Sequence, residues 1–480
     1  MKTGTPAGSF KVLSDGDLQR IHAAALSLLS NPGVRSESDL ILDLFKRAGA
    51  PVDRAGRTIR VPAEMVEAAL KTAPRSFILH GRQPGQDLLV ESGRVYYGLG
   101  GTSEPYFWDC QLGRPRRPAK ADMVDVTRVG QALSHVDFVM ALCSSGDVPG
   151  DQVFIHDYDA IFRNTDKPVV FSVLGRHSTA TILEMAAAAC GGESEMRRRP
   201  WGMAMVSCVS PLVVTRLQEG ILDALELGVP IRYGAGPMMG GTSPASVAGI
   251  VAQSMAETLF GLVMVQLLKP GAPFVFAPNT NVMDMATGQC TYSSPEQTLG
   301  KAAVAQLGRF YGLPTWATAG GVESKLPDCE AAAQAMLGML LNSLAGITFN
   351  QSMGTLASGL CGSVEMAVIC DELAHMVKRV LTGFAVTDDT LALDVVREVG
   401  QGGQFLTHSH TLEHFRQEMF FPALFRRQSI DQWLERGARP IVDVAHQRVQ
   451  AILEQARPVP LPGGAGERLE QIVESYGKSA

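Results

Sequence analysis

The sequence predicts an α/β fold: a (β/α)8 TIM barrel with an N-terminal helical cap and a C-terminal helical extension. Two observations carry this. Eight short apolar segments alternate with longer amphipathic ones between residues 95 and 385. Strand-length runs separated by helix-length runs imply right-handed βαβ units in a parallel sheet, and eight such units suit a closed barrel. Glycine is also dense where strands should end, at Gly100-Gly101, Gly234-Ala-Gly236, Gly240-Gly241 and Gly320-Gly321. Glycine there permits unusual backbone angles and close approach of a ligand. Barrels of this kind carry their chemistry at the C-terminal ends of the strands, which is where functional residues are sought.

The expected strands lie within residues 95–101, 136–143, 168–174, 201–208, 230–236, 273–278, 314–320 and 347–352. Residues 1–94 read as a helical extension. Leu18, Ile21, Ala25, Leu28 and Leu29 form one stripe, with Ser14 placed to cap it beside Asp15 and Asp17. Ile41, Leu44, Phe45 and Ala48 form a second stripe, closed by Gly49. A third short helix follows Val61, with Pro62 suited to its first turn. Residues 95–385 are the barrel domain, and residues 386–480 are a helical extension with a Pro/Gly linker at 458–466.

Composition excludes several classes. The 480 residues are 46% hydrophobic and 19% charged, enough for a large core. Net charge is −6, and the only basic clusters are Arg114-Pro-Arg-Arg117 and Arg197-Arg-Arg199. Tracking a phosphate backbone needs a continuous basic face, so nucleic acid is not the expected partner. No uninterrupted apolar run reaches the ~18 residues of a membrane span. Val251 to Leu268 carries Gln253, Glu257 and Gln266 and reads as a buried barrel helix. The N-terminus shows no apolar signal region, and the eight cysteines include no CxxC pair. Reduced thiols in a cytoplasmic protein are expected.

Several side chains at the strands could carry chemistry. Tyr233, Trp316 and Phe349 lie nearest to strand ends among the strand aromatics. Such rings could box a quaternary ammonium, at ~0.5–2 kcal/mol of cation–π attraction each. Strand alternation sends half of all such rings outward, so core packing competes with that role at every position. Polar residues at strand ends include Glu104, Ser144, Ser145, His177, Asn279, Glu323, Asn350 and Gln351. They supply acceptors for a cation and donors for a carboxylate. His410 and His414 are i, i+4 neighbours, a spacing that can hold a metal, but there is no HExxH, and packing is the expected role. No dinucleotide fingerprint or P-loop occurs. Lys325 is a conceivable Schiff-base lysine in a polar, exposed setting.

The chain resembles the trimethylamine methyltransferase family over nearly its whole length. The matching segments are Gly49-Ala-Pro-Val-Asp53, Val61-Pro-Ala-Glu64, Ala73-Pro-Arg-Ser-Phe77, Gly320-Gly-Val-Glu-Ser-Lys-Leu-Pro-Asp328 and Asp371-Glu372. The run Gly400-Gln-Gly-Gly-Gln-Phe-Leu406, with His410-Thr-Leu-Glu-His-Phe-Arg416, Glu418 and Pro422, is the most specific of them. The resemblance implies a barrel that demethylates a methylated amine and passes the methyl group to the Co(I) corrinoid of a small partner protein. The founding members contain pyrrolysine. Only standard residues occur here, which resembles the branch that lacks it and includes glycine betaine methyltransferases.

A quaternary amine already carries its charge and leaves as a neutral tertiary amine, so no nucleophile–base motif is needed. The expected catalytic residues are Glu323, Asn350 and Gln351. The expected substrate-binding residues are Glu104, His177, Tyr233, Asn279, Trp316, Gly320, Gly321 and Phe349, with no resident metal and no tightly bound cofactor. A homo-oligomer is expected from the apolar helices flanking the barrel. Three rival readings stay open: methyl transfer to a folate, a lyase or aldolase using Lys325, and a quaternary-amine binding protein without turnover.

Overall fold

The computed structural model describes residues 1–2, 5–6, 8, 10–101, 103–457 and 459–479. Three helices come first: α1 (Asp15–Ser30), α2 (Asp39–Arg47) and α3 (Ala63–Thr72). Ser14 caps α1. Its Oγ accepts from the Asp17 amide at 3.2 Å, and the Asp17 carboxylate accepts from the Ser14 amide at 3.1 Å. The two bonds satisfy donors that every helix start leaves open.

The barrel strands are β1 (Arg94–Leu99), β2 (Phe138–Val139), β3 (Val170–Ser172), β4 (Met203–Ser207), β5 (Ile231–Ala235), β6 (Phe274–Pro278), β7 (Trp316–Thr318) and β8 (Phe349–Met353). Each lies within or beside its expected segment. Parallel ladders join β1 to β2, β3 to β4, β4 to β5, β5 to β6, β7 to β8 and β8 back to β1. Single parallel bridges, Val139 to Val169 and Phe276 to Thr315, close the two remaining seams. The sheet is therefore a closed eight-stranded barrel.

Helices α4 (Lys120–Ala132), α5 (Val153–Asn164), α6 (Arg176–Cys190), α7 (Ile221–Glu226), α8 (Val247–Leu268), α9 (Pro295–Tyr311), α10 (Cys329–Ala345) and α11 (Val364–Thr382) surround it. Alternation divides the strand residues into two sets. Tyr96, Phe138, Met140, Val170, Met203, Val275, Ala277, Trp316 and Phe349 fill the bore. Phe171, Ala204, Ile231, Tyr233, Phe274 and Phe276 face outward to the helices.

Helix α8 is apolar on every side because it is covered on every side. The barrel lies beneath it and α1, α2 and α3 lie above, with Phe45 stacked on Phe260 at 4.7 Å. It has the length and composition to cross a membrane, yet 78% of its apolar window is buried inside the molecule.

The first 94 residues also hold strands that helical periodicity did not announce. A hairpin of Ser76–Leu79 and Leu88–Glu91 carries Leu79, Leu88 and Val90 into the bore cluster. His80 bridges to Trp201 at the start of β4, and the Tyr96 hydroxyl donates to the Leu89 carbonyl. The hairpin thus closes the N-terminal end of the barrel.

Beyond α11 come the helices α12 (Ser409–Glu418), α13 (Ile441–Gln455) and α14 (Ala465–Ser479). Helix α13 packs on α4 and α11, and α14 packs on α5 and α6. The stretch between, residues 384–440, is an open arm of short helices and irregular chain. Leu424 is its one buried residue, held by Glu372, whose carboxylate accepts from the amides of Ala423 and Leu424 at 3.0 Å each. Continuous helix fails there because Gly400, Gly402, Gly403 and Pro422 interrupt it and no core lies beneath.

Candidate active site

The floor of the barrel mouth is built by side chains from β5, β7 and β8. Trp316 Nε1 donates to Gln351 Oε1 at 2.9 Å. The Arg232 guanidinium lies over the Trp316 ring, 5.5 Å from its centroid. Arg232 Nη1 donates to Ser207 Oγ at 3.1 Å and to the Val206 carbonyl at 3.4 Å. Ser207 is exposed, so the guanidinium reaches from the bore toward the opening. Burial pulls the Arg232 pKa down to about 9. Phe349 packs 5.4 Å from both Trp316 and Phe138.

Across the barrel, the loop after β1 supplies an acid. Glu104 is 1% exposed. Its Oε1 accepts from Thr355 Oγ1 at 2.9 Å, and its Oε2 has no partner among the described residues. Burial pushes its pKa up to about 8. Asp157, which accepts from the Ser145 amide at 2.7 Å, stands near enough to add to that rise, and burial pushes its own pKa to about 6.

A third side comes from the loop after β6. Tyr292 lies over Gly321 and Gly359: a Cβ built on Gly321 would stand 2.8 Å from the ring, and one on Gly359 2.5 Å from the hydroxyl. Glu323 holds this loop in place. Its Oε1 accepts from the amides of Tyr292 and Ser293 at 2.7 and 2.9 Å, and its Oε2 from Ser293 Oγ at 2.9 Å. Lys301 on α9 adds a bond from Nζ to the Tyr292 carbonyl at 3.0 Å, and burial pulls its pKa down to about 7.

The structure therefore gathers Glu104, Gln351, Gly320, Gly321 and Glu323 around the mouth, with half-buried Asn279 following β6, while Trp316 and Phe349 begin β7 and β8 and pack fully buried in the bore beneath. Three expected residues point elsewhere. Tyr233 packs outward on α8, where a Cβ on Gly261 would stand 2.0 Å from its ring. Asn350 also faces outward, its Nδ2 donating to the Ile347 carbonyl at 3.1 Å. His177 stacks on Tyr476 of α14 at 4.9 Å. Lys325 is exposed. His410 and His414 stack at 4.1 Å on the arm. With Asp389 they form one of two groups, among the described residues, whose ligating atoms lie within 4.8 Å of one another; the other is Cys110, Glu365 and His446. Neither group lies on the barrel strands.

Arg232, Tyr292 and Lys301 escaped the sequence reading. Arg232 had a signal: a charge inside an apolar strand, on the opposite face from Tyr233. Tyr292 and Lys301 had none, since a loop and a helix bring them together only in three dimensions.

Comparison with known proteins fits this architecture. The family model for trimethylamine methyltransferase (MTTB) matches residues 3–479. A trimethylamine methyltransferase of Desulfitobacterium hafniense is 33% identical over 466 residues, covering 96% of this chain and 93% of the relative. A glycine betaine methyltransferase of the same species is 28% identical over 476 residues, covering 98% of each. The crystal structure of the Methanosarcina barkeri monomethylamine methyltransferase superimposes with a TM-score of 0.51 at 14% identity, covering 93% of this chain and 95% of that one. That likeness supports the barrel fold. On the match along its whole length, the chain belongs to the trimethylamine methyltransferase family.

Proposed function

We propose that the protein demethylates a quaternary methylated amine and passes the methyl group to the Co(I) corrinoid of a partner protein, and that it belongs to the branch without pyrrolysine. The observation that carries this reading is Glu104. A buried carboxyl with one bare oxygen, placed at the mouth of a barrel, is an acceptor awaiting a cation. Family membership supplies the reaction class.

In the transfer, the methyl carbon–nitrogen bond breaks and its electron pair stays on nitrogen, which leaves as a neutral tertiary amine. The acceptor's Co(I) supplies the pair for the new bond to carbon. No proton moves. The chain's own residues hold the ammonium beside Glu104, orient one methyl outward over the floor of Trp316, Phe349 and Gln351, and exclude water beneath Tyr292. Glu323 acts on the substrate through Tyr292, whose loop it fixes. The eight free thiols suit a reducing cytoplasm.

The test is demethylation of glycine betaine, carnitine, choline and trimethylamine, with and without a reduced corrinoid protein. Turnover of a quaternary amine only when the corrinoid is present is expected. Glu104→Ala should lower kcat/KM about 100-fold or more, the order lost with one partner of a buried charge pair. Trp316→Phe, which keeps a ring in the fully buried bore but removes the bond to Gln351, should lower turnover while the chain stays folded. Equal turnover with a folate acceptor would replace the corrinoid in this reading. Full activity of Glu104→Ala would remove the acid from the site.

A further inference from the structure

The geometry points to Arg232 as the binding residue for a substrate carboxylate, which makes the substrate a zwitterion: a methylated ammonium joined to a carboxylate. This rests on the amine-demethylation reading and names the substrate class for the same site.

Arg232 stands on β5 between Ile231 and Tyr233, both turned outward, so its own side chain enters the bore. It is 3% exposed. Its register neighbours are Met205 and Val275, and the buried apolar cluster of the bore includes Val275, Trp316 and Phe349. No carboxylate pairs with it among the described residues, and its Nε has no hydrogen-bond partner there. Gly234 makes room for it: a Cβ at that position would stand 2.5 Å from Nη1. A buried guanidinium with no counter-charge is unfavourable until an anion joins it, and its planar fork matches a carboxylate.

The placement of the two charges narrows the anion further. Strands β1 and β5 stand on opposite sides of an eight-stranded barrel. Glu104 follows β1, and Arg232 sits on β5. The mouth thus offers an acid on one side and a guanidinium on the other. A zwitterion satisfies both at once. A simple amine leaves Arg232 unpaired and meets its repulsion.

The experiment is calorimetric titration of the full chain with three probes of similar shape. Glycine betaine carries both charges, choline carries the ammonium with a hydroxyl, and 3,3-dimethylbutanoate carries the carboxylate with a neutral tert-butyl group. The variants are Arg232→Met, which keeps bulk in the bore, and Arg232→Lys, which keeps the charge. Wild type should bind glycine betaine roughly 30-fold or more tighter than choline. Arg232→Met should lose that advantage and hold choline at least as tightly as wild type does, with Arg232→Lys keeping part of the preference for glycine betaine. Choline binding as tightly as glycine betaine to wild type overturns the proposal and leaves the amine reading standing. Dimethylbutanoate binding, lost in Arg232→Met, with no ammonium probe bound at all, supports the carboxylate site and sinks the amine reading. No carboxylate probe bound by wild type overturns the proposal outright.

Discussion

Glu104 ties the site to pH through a single carboxyl. Burial raises its pKa from the ordinary 4.5 to about 8, so the folded chain holds it protonated where the unfolded chain ionises it. The stability it contributes is complete below pH 4.5 and falls as pH rises toward 8. Lys301, pulled down to about 7, works the other way above that pH, so the comparison needed is wild type against Glu104→Gln. Across this window the melting temperature of wild type should drop relative to the variant. Cation binding favours the ionised carboxylate. Affinity for a quaternary ammonium should therefore rise toward pH 8 in wild type and stay level in Glu104→Gln. A wild-type affinity independent of pH would place the cation elsewhere. Glu104 was legible because a polar residue just past a strand end is an obvious candidate. Arg232 was harder: the run Pro230–Gly236 identifies the strand, but the inward face of β5 falls to residue 232 and turns Tyr233 onto a helix. A shift of one residue exchanges the faces of a strand, and periodicity alone does not fix that parity.

Among the elements, α8 shows how one glycine sets a layer. Tyr233 fills the space that a side chain at 261 would take, and so brings α8 close to β5. Gly261→Val should destabilise the fold by about 1–3 kcal/mol, read as a lower urea midpoint at unchanged slope. An unchanged midpoint would mean that the helix simply moves outward. Each of the eight strands was readable as an apolar run set off by turns. The hairpin at residues 76–91 was not, because its strands are four residues each, too short for alternation to stand out from its surroundings. The open arm was read as helix for a related reason: its residues favour helix locally, but it lacks the packing that most helices need.

For the molecule as a whole, the arm carries a surface at odds with the rest. Phe384, Leu406 and Ile430 are 80%, 76% and 71% exposed. Exposed apolar side chains on one arm are where the expected homo-oligomer would associate. Light scattering behind size exclusion should show an assembly larger than one chain, and Phe384→Ser with Leu406→Ser should reduce it. A monomeric wild type would reserve the arm for another partner. At the opposite scale of detail, the hairpin under the barrel has a consequence for traffic. A bore sealed at its base is a cul-de-sac. On the proposed reading, an acceptor that collects the methyl group would stand at the mouth, the spent amine would wait behind it, and loading, transfer and departure would take place in a fixed queue.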